Sequence, residues 1–230
     1  MGLKDDLEAQ VKKTFRDAWK ERNGTVVPQD NDVGLGNDGV NLDATVLYAD
    51  LSESTALVDS ETKTFAAEIY KNYLYCAARI IRFEDGSITA YDGDRIMAVF
   101  IGDSKNTAAV RAALKINWAV TNIINPGIAQ QYSSKSYRVK QVIGIDTSKL
   151  MVARTGIRGS NDLVWVGRAA NYAAKLCNKK MSPTYITKEV YDMLNETAKF
   201  SNGVNMWTSE YWSEMGYKTI YRSSYSWSIS

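Results

Sequence analysis

Residues Ser87 to Phe100 read S-I-T-A-Y-D-G-D-R-I-M-A-V-F, and the other predicted elements are arranged around this stretch. Two runs of β-prone residues flank Asp92-Gly93, a dipeptide that tolerates the positive φ angles of a tight two-residue turn. The stretch therefore predicts a β-hairpin whose tip carries Asp92 and Asp94, followed by Arg95. An isolated Asp-Gly-Asp tip is typical of an exposed turn, so a functional role requires a second carboxylate elsewhere.

A second carboxylate follows the apolar run Ala44 to Ala49, which predicts a short strand ending at Asp50. The next residues, Leu51-Ser52-Glu53-Ser54-Thr55, suit a turn that opens a helix, where free N–H groups attract phosphate. A capped helix without a ligand fits this pattern equally well. Apolar residues at helical spacing predict a long helix over 63–83. Strand, helix and hairpin would then bring Asp50 and Asp94 to adjacent strand ends.

The remaining chain has periodic segments on both sides of this core. Leu7, Val11, Phe15 and Trp19 repeat every four residues and predict an N-terminal amphipathic helix within 1–22. Residues 23–42 are rich in Gly, Asn and Asp and predict a linker, which leaves 43–230 as the catalytic domain. Downstream, the pattern predicts a helix over 105–124 stopped by Pro126-Gly127, a strand over 137–147, two extended runs over 149–166, a helix over 168–176, a strand over 185–187, a helix over 188–200 and a strand over 217–222.

The composition excludes several classes of protein. The 230 residues include 45% hydrophobic ones, which is ample for a packed core, and the net charge of +2 argues against a dedicated nucleic-acid-binding protein. No stretch approaches a membrane span and the N-terminus has no leader pattern, so a cytoplasmic location is expected. Cys76 and Cys177 lie in apolar helical segments and are predicted to be buried free thiols.

The absence of histidine limits the chemistry further. Ser-His-Asp triads, Cys-His nucleophiles and His-based zinc sites are impossible in this chain. The remaining carboxylates, amides, hydroxyls, lysines and arginines suit hard divalent cations such as Mg²⁺ or Mn²⁺, and therefore substrates that carry phosphate.

From about Ala44 to Tyr221 the sequence resembles the catalytic domain of the class III nucleotidyl cyclases. Three motifs occur in the family's order: Tyr48-Ala49-Asp50-Leu51-Ser52-Glu53-Ser54-Thr55, then Gly93-Asp94-Arg95-Ile96-Met97-Ala98-Val99-Phe100, then Val166-Gly167-Arg168-Ala169-Ala170-Asn171-Tyr172-Ala173-Ala174-Lys175-Leu176. The resemblance implies an α+β sandwich with a ferredoxin-like βαββαβ core, in which helices pack on a mostly antiparallel sheet. A diguanylate cyclase is disfavoured, because its Gly-Gly-Asp/Glu-Glu-Phe hairpin is not matched by residues 91–95.

The resemblance also implies a two-metal site and a shared catalytic centre. Asp50, Asp94 and the Leu51 carbonyl would hold two Mg²⁺ or Mn²⁺ ions, so that the ribose 3′-hydroxyl attacks the α-phosphorus and pyrophosphate leaves. Asn171 would orient the ribose and Lys175 would neutralise charge at the α-phosphate. Family members form head-to-tail homodimers in which one subunit gives the metals and the other the third motif. The implied contacts to the nucleoside triphosphate are Tyr48, Ser52, Glu53, Ser54, Thr55, Ala90, Arg95 and Arg168.

Two departures from the family pattern point away from a purine. In the resembled family, purine cyclases share a Lys at the position of Ala90 and an Asp or Thr at the position of Arg168. A site that lacks a partner for a base hydrogen bond loses specificity. The short form with Tyr48 is similar to the bacterial pyrimidine cyclases of the Pycsar anti-phage systems, whose cUMP or cCMP activates a separate effector protein.

Among the pyrimidines, UTP is favoured over CTP as substrate by its frequency in the resembled family, and no residue of this chain separates the two. A cytidylate cyclase, an ATP or GTP cyclase and a non-catalytic nucleotide-binding regulator remain as alternatives. Lys175 replaces the family's arginine and lacks its bidentate fork, so slow turnover is expected.

Overall fold

A computed structural model describes residues 2–229 of the chain, which contain eight α-helices and eleven β-strands. The helices are α1 (Leu3–Arg16), α2 (Ser54–Ser60), α3 (Lys63–Phe83), α4 (Lys105–Ala119), α5 (Asn125–Gln131), α6 (Arg168–Leu176), α7 (Lys188–Asp192) and α8 (Glu196–Lys199). The strands are β1 (Lys20–Asn23), β2 (Asp38–Leu51), β3 (Ser87–Asp92), β4 (Arg95–Phe100), β5 (Gln141–Ile157), β6 (Ser160–Gly167), β7 (Thr184–Thr187), β8 (Phe200–Ser201), β9 (Val204–Asn205), β10 (Thr208–Trp212) and β11 (Lys218–Ser223).

The chain divides into two compact units. The larger comprises Ala44–Ser148 together with the described residues from Arg168 onward. Its sheet has the strand order β10-β11-β7-β5-β2-β4-β3. Strands β5 and β7 pair in parallel, whereas β10/β11, β11/β7, β2/β4 and β3/β4 pair antiparallel. In chain order, β2, α3, β3, β4, α4 and β5 form the βαββαβ succession. The predicted α+β class with a mostly antiparallel sheet is confirmed.

Helices α3 and α4 pack on this sheet through one apolar core. Phe65, Ile69, Tyr73, Ala77 and Ile80 recur at intervals of three and four along α3 and are all buried. They join buried residues of β2, β4 and α4 in the same cluster. The hairpin β3–β4, whose bounds match the prediction, is thereby fixed against α3.

The smaller unit comprises the described residues up to Asp43 together with Lys149–Gly167. In it, β1 pairs in parallel with residues 38–41 of β2, and β6 pairs antiparallel with residues 150–157 of β5. The Asn37 side-chain amide donates to the carbonyl oxygens of Thr14 (2.8 Å) and Asp17 (2.6 Å) and so ties down the end of α1.

Several predicted bounds near the N-terminus are wrong. The helix predicted up to residue 22 ends at Arg16, and Lys20–Asn23 is a strand. The segment predicted as a linker over 23–42 contains the start of β2, and Val40 and Leu42 are buried there. Gly39 and Asn41 are poor strand formers, but pairing with β1 satisfies their backbone groups. The division into an N-terminal helix, a linker and a catalytic domain over 43–230 stays a prediction.

Two predicted helices are also altered. Pro126-Gly127 does not stop the helical run, because the chain passes through a π-helical segment (Val120–Ile124) and Pro126 lies in the first turn of α5, where its missing N–H is tolerated. The helix predicted over 188–200 is broken into α7 and α8 since the Asn195 side chain accepts from Ala198 N and caps a new helix. The structure confirms α3, α6, β7 and β11 and adds β8, β9 and β10, which the sequence did not predict.

Cys76 and Cys177 are both free thiols, as predicted. The predicted burial is confirmed for Cys177 but is wrong for Cys76, which is half-buried. None of the helices within residues 2–229 has both the length and the apolar character that crossing a bilayer requires.

Candidate active site

The hairpin tip brings the two candidate metal carboxylates together. Antiparallel pairing of β2 with β4 sets Asp50 directly opposite Arg95, and Asp94 is the residue just before Arg95. Gly93 adopts φ 60°, which lets the chain turn tightly between Asp92 and Asp94. The predicted adjacency of Asp50 and Asp94 is therefore present in the structure.

The charge state of this pair depends on burial and on one arginine. Burial raises the pKa of the Asp50 carboxyl, the Arg95 guanidinium lowers it, and the neighbouring Asp94 charge raises it. Arg95 Nη2 donates to Asp50 Oδ2 at 3.0 Å, and its Cζ lies 5.9 Å from the centre of the Tyr48 ring. Arg95 thus links Tyr48 to the carboxylate pair.

Asp94 Oδ2 is buried and has no hydrogen-bond partner. A buried carboxylate oxygen without a partner is unfavourable unless a cation or donor approaches it. Among residues 2–229 there is no cluster of three or more acidic, Cys or His side chains that could enclose a metal. The carboxylates of Asp50 and Asp94 with the Leu51 carbonyl instead suit Mg²⁺. This ion usually binds few protein groups and takes its remaining ligands from water and substrate phosphates.

The first motif continues from Asp50 into a loop that lines a cavity of 680 Å³. Glu53 adopts φ 61°, and α2 begins at Ser54 without a side-chain cap on its first N–H groups. Ser52 N donates to Lys140 O at 2.9 Å, which fixes the loop to the chain just before β5. All six residues from Asp50 to Thr55 face this cavity.

Three lysines that the sequence did not single out line the same cavity, namely Lys140, Lys179 and Lys180. Lys140 Nζ lies 3.6 Å from Glu53 Oε2, and Lys179 lies 3.8 Å from Glu210 and 3.5 Å from Glu214. The only local signal was the Lys179-Lys180 pair, which follows the end of α6 after two residues and by itself is typical of a solvated loop. A cavity that combines these lysines with the loop favours an anionic ligand.

The third motif lies on α6, and both of its predicted catalytic side chains, Asn171 and Lys175, are exposed. Lys175 borders an adjoining cavity of 250 Å³, which shares Asn178 and Lys179 with the 680 Å³ cavity. The Lys175 Nζ lies 3.6 Å from Met215 Sδ. Neither Asn171 nor Lys175 lines the 680 Å³ cavity. One chain therefore does not place the third motif in the cavity that the first motif lines.

Arg168, at the start of α6, is bound within its own chain. Its Nε and Nη2 donate to the two oxygens of Asp146 at 3.1 and 3.2 Å, Nη2 also donates to Thr147 O at 2.7 Å, and Nη1 donates to Glu189. A contact between Arg168 and a base would require some of these bonds to be exchanged. Ala90, the other predicted base-side position, is half-buried on β3 opposite Met97, just after a shift in the strand register.

Cys177 borders the 680 Å³ cavity, and burial raises the pKa of its thiol to about 12. Because only the thiolate is an effective nucleophile, we expect iodoacetamide at pH 8 to leave Cys177 almost unlabelled in the folded protein and to label it rapidly after unfolding. Peptide mass analysis of both samples, with half-buried Cys76 as internal reference, measures this difference. Rapid labelling of Cys177 in the folded protein would contradict its placement.

Comparison with known proteins gives a consistent result. The uridylate cyclases of Xanthomonas perforans and Burkholderia cepacia are 54% and 52% identical to this chain, and in both cases the match covers 100% of each sequence. A uridylate cyclase of Rhodovulum is 37% identical over 98% of this chain and 97% of its own. No protein-family model matches the chain.

Solved structures share the fold at much lower identity. The adenylyl cyclase CyaB from P. aeruginosa superposes with a TM-score of 0.67 at 20% identity, covering 80% of this chain and 95% of its own. The guanylate cyclase domain of RhGC from Catenaria anguillulae, solved in complex with GTP, gives a TM-score of 0.64 at 13% identity and covers 81% and 99%. At these identities the likeness establishes the architecture alone.

Proposed function

The chain belongs to the uridylate cyclases and is a nucleotide cyclase, and from this premise we propose that it converts UTP to 3′,5′-cyclic UMP and pyrophosphate. The observation that carries the proposal is the buried, unpartnered Asp94 Oδ2 close to Asp50, the residue from which the cavity-lining loop continues. The divalent cations that accompany a nucleoside triphosphate would give Asp94 Oδ2 a positively charged partner. The triphosphate itself would be the anion that the loop and the cavity lysines favour.

Asp50, Asp94 and the Leu51 carbonyl would hold two Mg²⁺ or Mn²⁺ ions, which when bound lower the pKa of the ribose 3′-hydroxyl and neutralise the triphosphate. Arg95 keeps Asp50 in position through its salt bridge. The free N–H groups at the start of α2, the hydroxyls of Ser52, Ser54 and Thr55, and the cavity lysines would bind the phosphate oxygens.

Asn171 and Lys175 would come from a second copy of the chain, since neither lines the cavity of the first motif. In such a homodimer each of two sites combines the carboxylates of one subunit with α6 of the other. Lys175 would place one ammonium charge at the α-phosphate, where it stabilises the charge that develops during transfer. A single ammonium lacks the forked geometry of a guanidinium, which is consistent with slow turnover.

Mixing two inactive variants tests whether the site is shared. Asp94→Asn removes a metal ligand, and Lys175→Ala removes the ammonium that stabilises the transition state. Each homodimer of a single variant should therefore be inactive. If chains pair at random, half of the dimers are mixed and hold one intact site of two, so co-expressed variants should recover about a quarter of wild-type activity. Each variant co-expressed with a differently tagged copy of itself is the control. A mixture as inactive as its components would contradict shared sites.

The choice of base is tested by product analysis. We expect purified protein with Mn²⁺ and each of UTP, CTP, ATP and GTP in parallel to give cyclic UMP as the main product. Position 90 is Ala and not Lys, which argues against a purine substrate, because a site that reads a purine would lack the hydrogen bond that this lysine donates. Cyclic CMP as the main product would make the chain a cytidylate cyclase, and cyclic AMP or GMP would contradict a pyrimidine site.

We also propose that the cyclic nucleotide acts as a signal to a separate effector protein in anti-phage defence. The resemblance to the Pycsar pyrimidine cyclases supports this role. Cells that carry the chain and its effector should resist phage, and the Asp94→Asn variant should abolish that resistance.

A further inference from the structure

Helix α1 presents an apolar stripe to solvent. Leu3, Leu7, Val11 and Phe15 lie four residues apart on one side of the helix and remain 76%, 58%, 53% and 87% exposed, and no residue of α1 is buried. Short helices in water usually depend on burial of their apolar face for stability. A continuous exposed stripe of this kind marks a surface that a partner covers.

The ends of this helix are held in place. At the first turn the Gly2 N–H donates to Asp5 Oδ2 at 3.1 Å. At the other end the Asn37 side-chain amide donates to the carbonyl oxygens of Thr14 and Asp17. The stripe is therefore displayed by a formed helix whose C-terminal end is fixed to the segment just before β2.

The charges of α1 are divided along its length. The acidic residues Asp5, Asp6 and Glu8 lie in the first half and outnumber its one basic residue, Lys4, whereas the charged residues of the second half are all basic, namely Lys12, Lys13 and Arg16. A second α1 turned end for end would therefore face acidic residues with basic ones. A parallel copy would instead place like charges side by side, which is destabilising.

The spacing of the stripe fits the same arrangement. If two copies cross antiparallel at the level of residue 9, Leu7 lies opposite Val11 of the second copy and Leu3 lies opposite its Phe15. At about 100° per residue, Glu8 and Lys12 flank the same side of the stripe. In the antiparallel pair Glu8 then lies within about one helical turn of Lys12 of the second copy. Glu8 is 3.7 Å from Lys4 in its own chain, so this pair would extend an existing ion pair.

We propose that α1 pairs antiparallel with α1 of a second copy of this chain, through the stripe Leu3, Leu7, Val11 and Phe15. A lipid surface is a poorer fit, because α1 has four basic and three acidic residues and its charged side is almost neutral. A pair of 14-residue helices is small beside the ~1,200–2,000 Å² of a stable interface, so the contact supplements other contacts between copies. In that respect it rests on the homodimer of the proposed function.

Site-specific cross-linking of the full-length chain tests the pairing. A Leu7→Cys chain and a Val11→Cys chain, differently tagged and co-expressed, should give a strong mixed disulfide cross-link under mild oxidation, because a disulfide requires Cβ atoms within about 4.5 Å of each other. Each variant alone should give little, because Leu7 is opposite Val11 and not opposite itself. Ala9→Cys is the matched control, since Ala9 lies on the opposite side of the same helix, and unmodified protein measures the background from Cys76 and Cys177.

Charge reversal adds a second readout. Glu8→Lys should reduce the mixed cross-link at least about threefold, and adding Lys12→Glu to the same chains should restore it. A mixed cross-link no stronger than the Ala9→Cys control overturns the proposal, as does a self-cross-link of Leu7→Cys alone. Flotation with vesicles of anionic lipid, without the mixed cross-link, would assign α1 to a membrane instead. None of these variants touches the first or third motif, so loss of the cross-link with cyclase activity intact leaves the proposed function standing.

Discussion

Replacing Asp94 by Asn is expected to lower the rate of cyclic UMP formation by about a thousandfold or more, because one of only two carboxylates available to the cations is lost. Asp94 Oδ2 is buried without a partner, and Asp50 beside it is already committed to Arg95. Within residues 2–229 no group of three or more acidic, Cys or His side chains offers an alternative metal site. Product formation from UTP with saturating Mn²⁺ measures the loss.

The matched control lies two residues away in the same hairpin. Asp92 is exposed at the end of β3, opposite Arg95, and Asp92→Asn should leave the rate within about twofold of wild type, since a surface carboxylate near the tip contributes little. The Asp94→Asn protein should keep its unfolding temperature, because a buried unpartnered carboxylate does not stabilise the fold. Substantial cyclase activity in Asp94→Asn would remove this residue from the metal site and favour a different ligand set.

Local sequence signals were sufficient for the elements that carry Asp50 and Asp94. A β-prone run on each side of Asp92-Gly93 specified the hairpin, and the apolar repeat of α3 specified its support. These signals act over a few residues, so a single sequence displays them. The pairing of β2 with β4 then follows from the order of elements and gives the adjacency of the two carboxylates.

The lysines of the cavity could not be predicted in this way. Lys140 precedes β5 and Lys179 follows α6, and only the folding of distant segments brings them to the loop after Asp50. The early start of β2 was missed for a related reason. Gly39 and Asn41 disfavour strands locally, but the backbone partners that stabilise them come from β1. Both features therefore depend on contacts between segments that are distant in sequence.

Arg168, a position of the third motif, has a structural role that the sequence around it does not reveal, because it forms a salt bridge with the buried Asp146. Asp146 on β5 is fully buried, and its carboxylate is matched by Arg168 and by the Thr187 hydroxyl at 2.6 Å. The Ser148 hydroxyl also accepts from Ala169 N at 3.0 Å and caps the start of α6. Arg168 thereby joins the start of the helix that carries Asn171 and Lys175 to β5.

Arg168→Ala should therefore destabilise the protein by about 3 kcal/mol, equivalent to roughly 6–12 °C in unfolding temperature, because a buried carboxylate loses its charge partner. Burial raises the pKa of the Asp146 carboxyl and Arg168 lowers it, so the variant's pKa should rise further. An aspartate with a raised folded-state pKa destabilises the fold when it must stay charged, and lowering the pH through that pKa relieves the penalty. Thermal unfolding should accordingly show a larger loss at pH 8 than at pH 5.

Arg16→Ala is the control, because Arg16 forms an exposed pair with Asp17 and its removal should change stability by less than about 1 kcal/mol. A loss in Arg168→Ala that is small or independent of pH would contradict the ion pair. Arg168→Lys separates this role from the predicted contact with the base. A lysine keeps the charge beside Asp146, so stability should recover in part while the ratio of kcat/KM for UTP to that for CTP stays at the wild-type value. A change in that ratio would instead assign Arg168 to base recognition, with its bonds to Asp146 exchanged when the nucleotide binds.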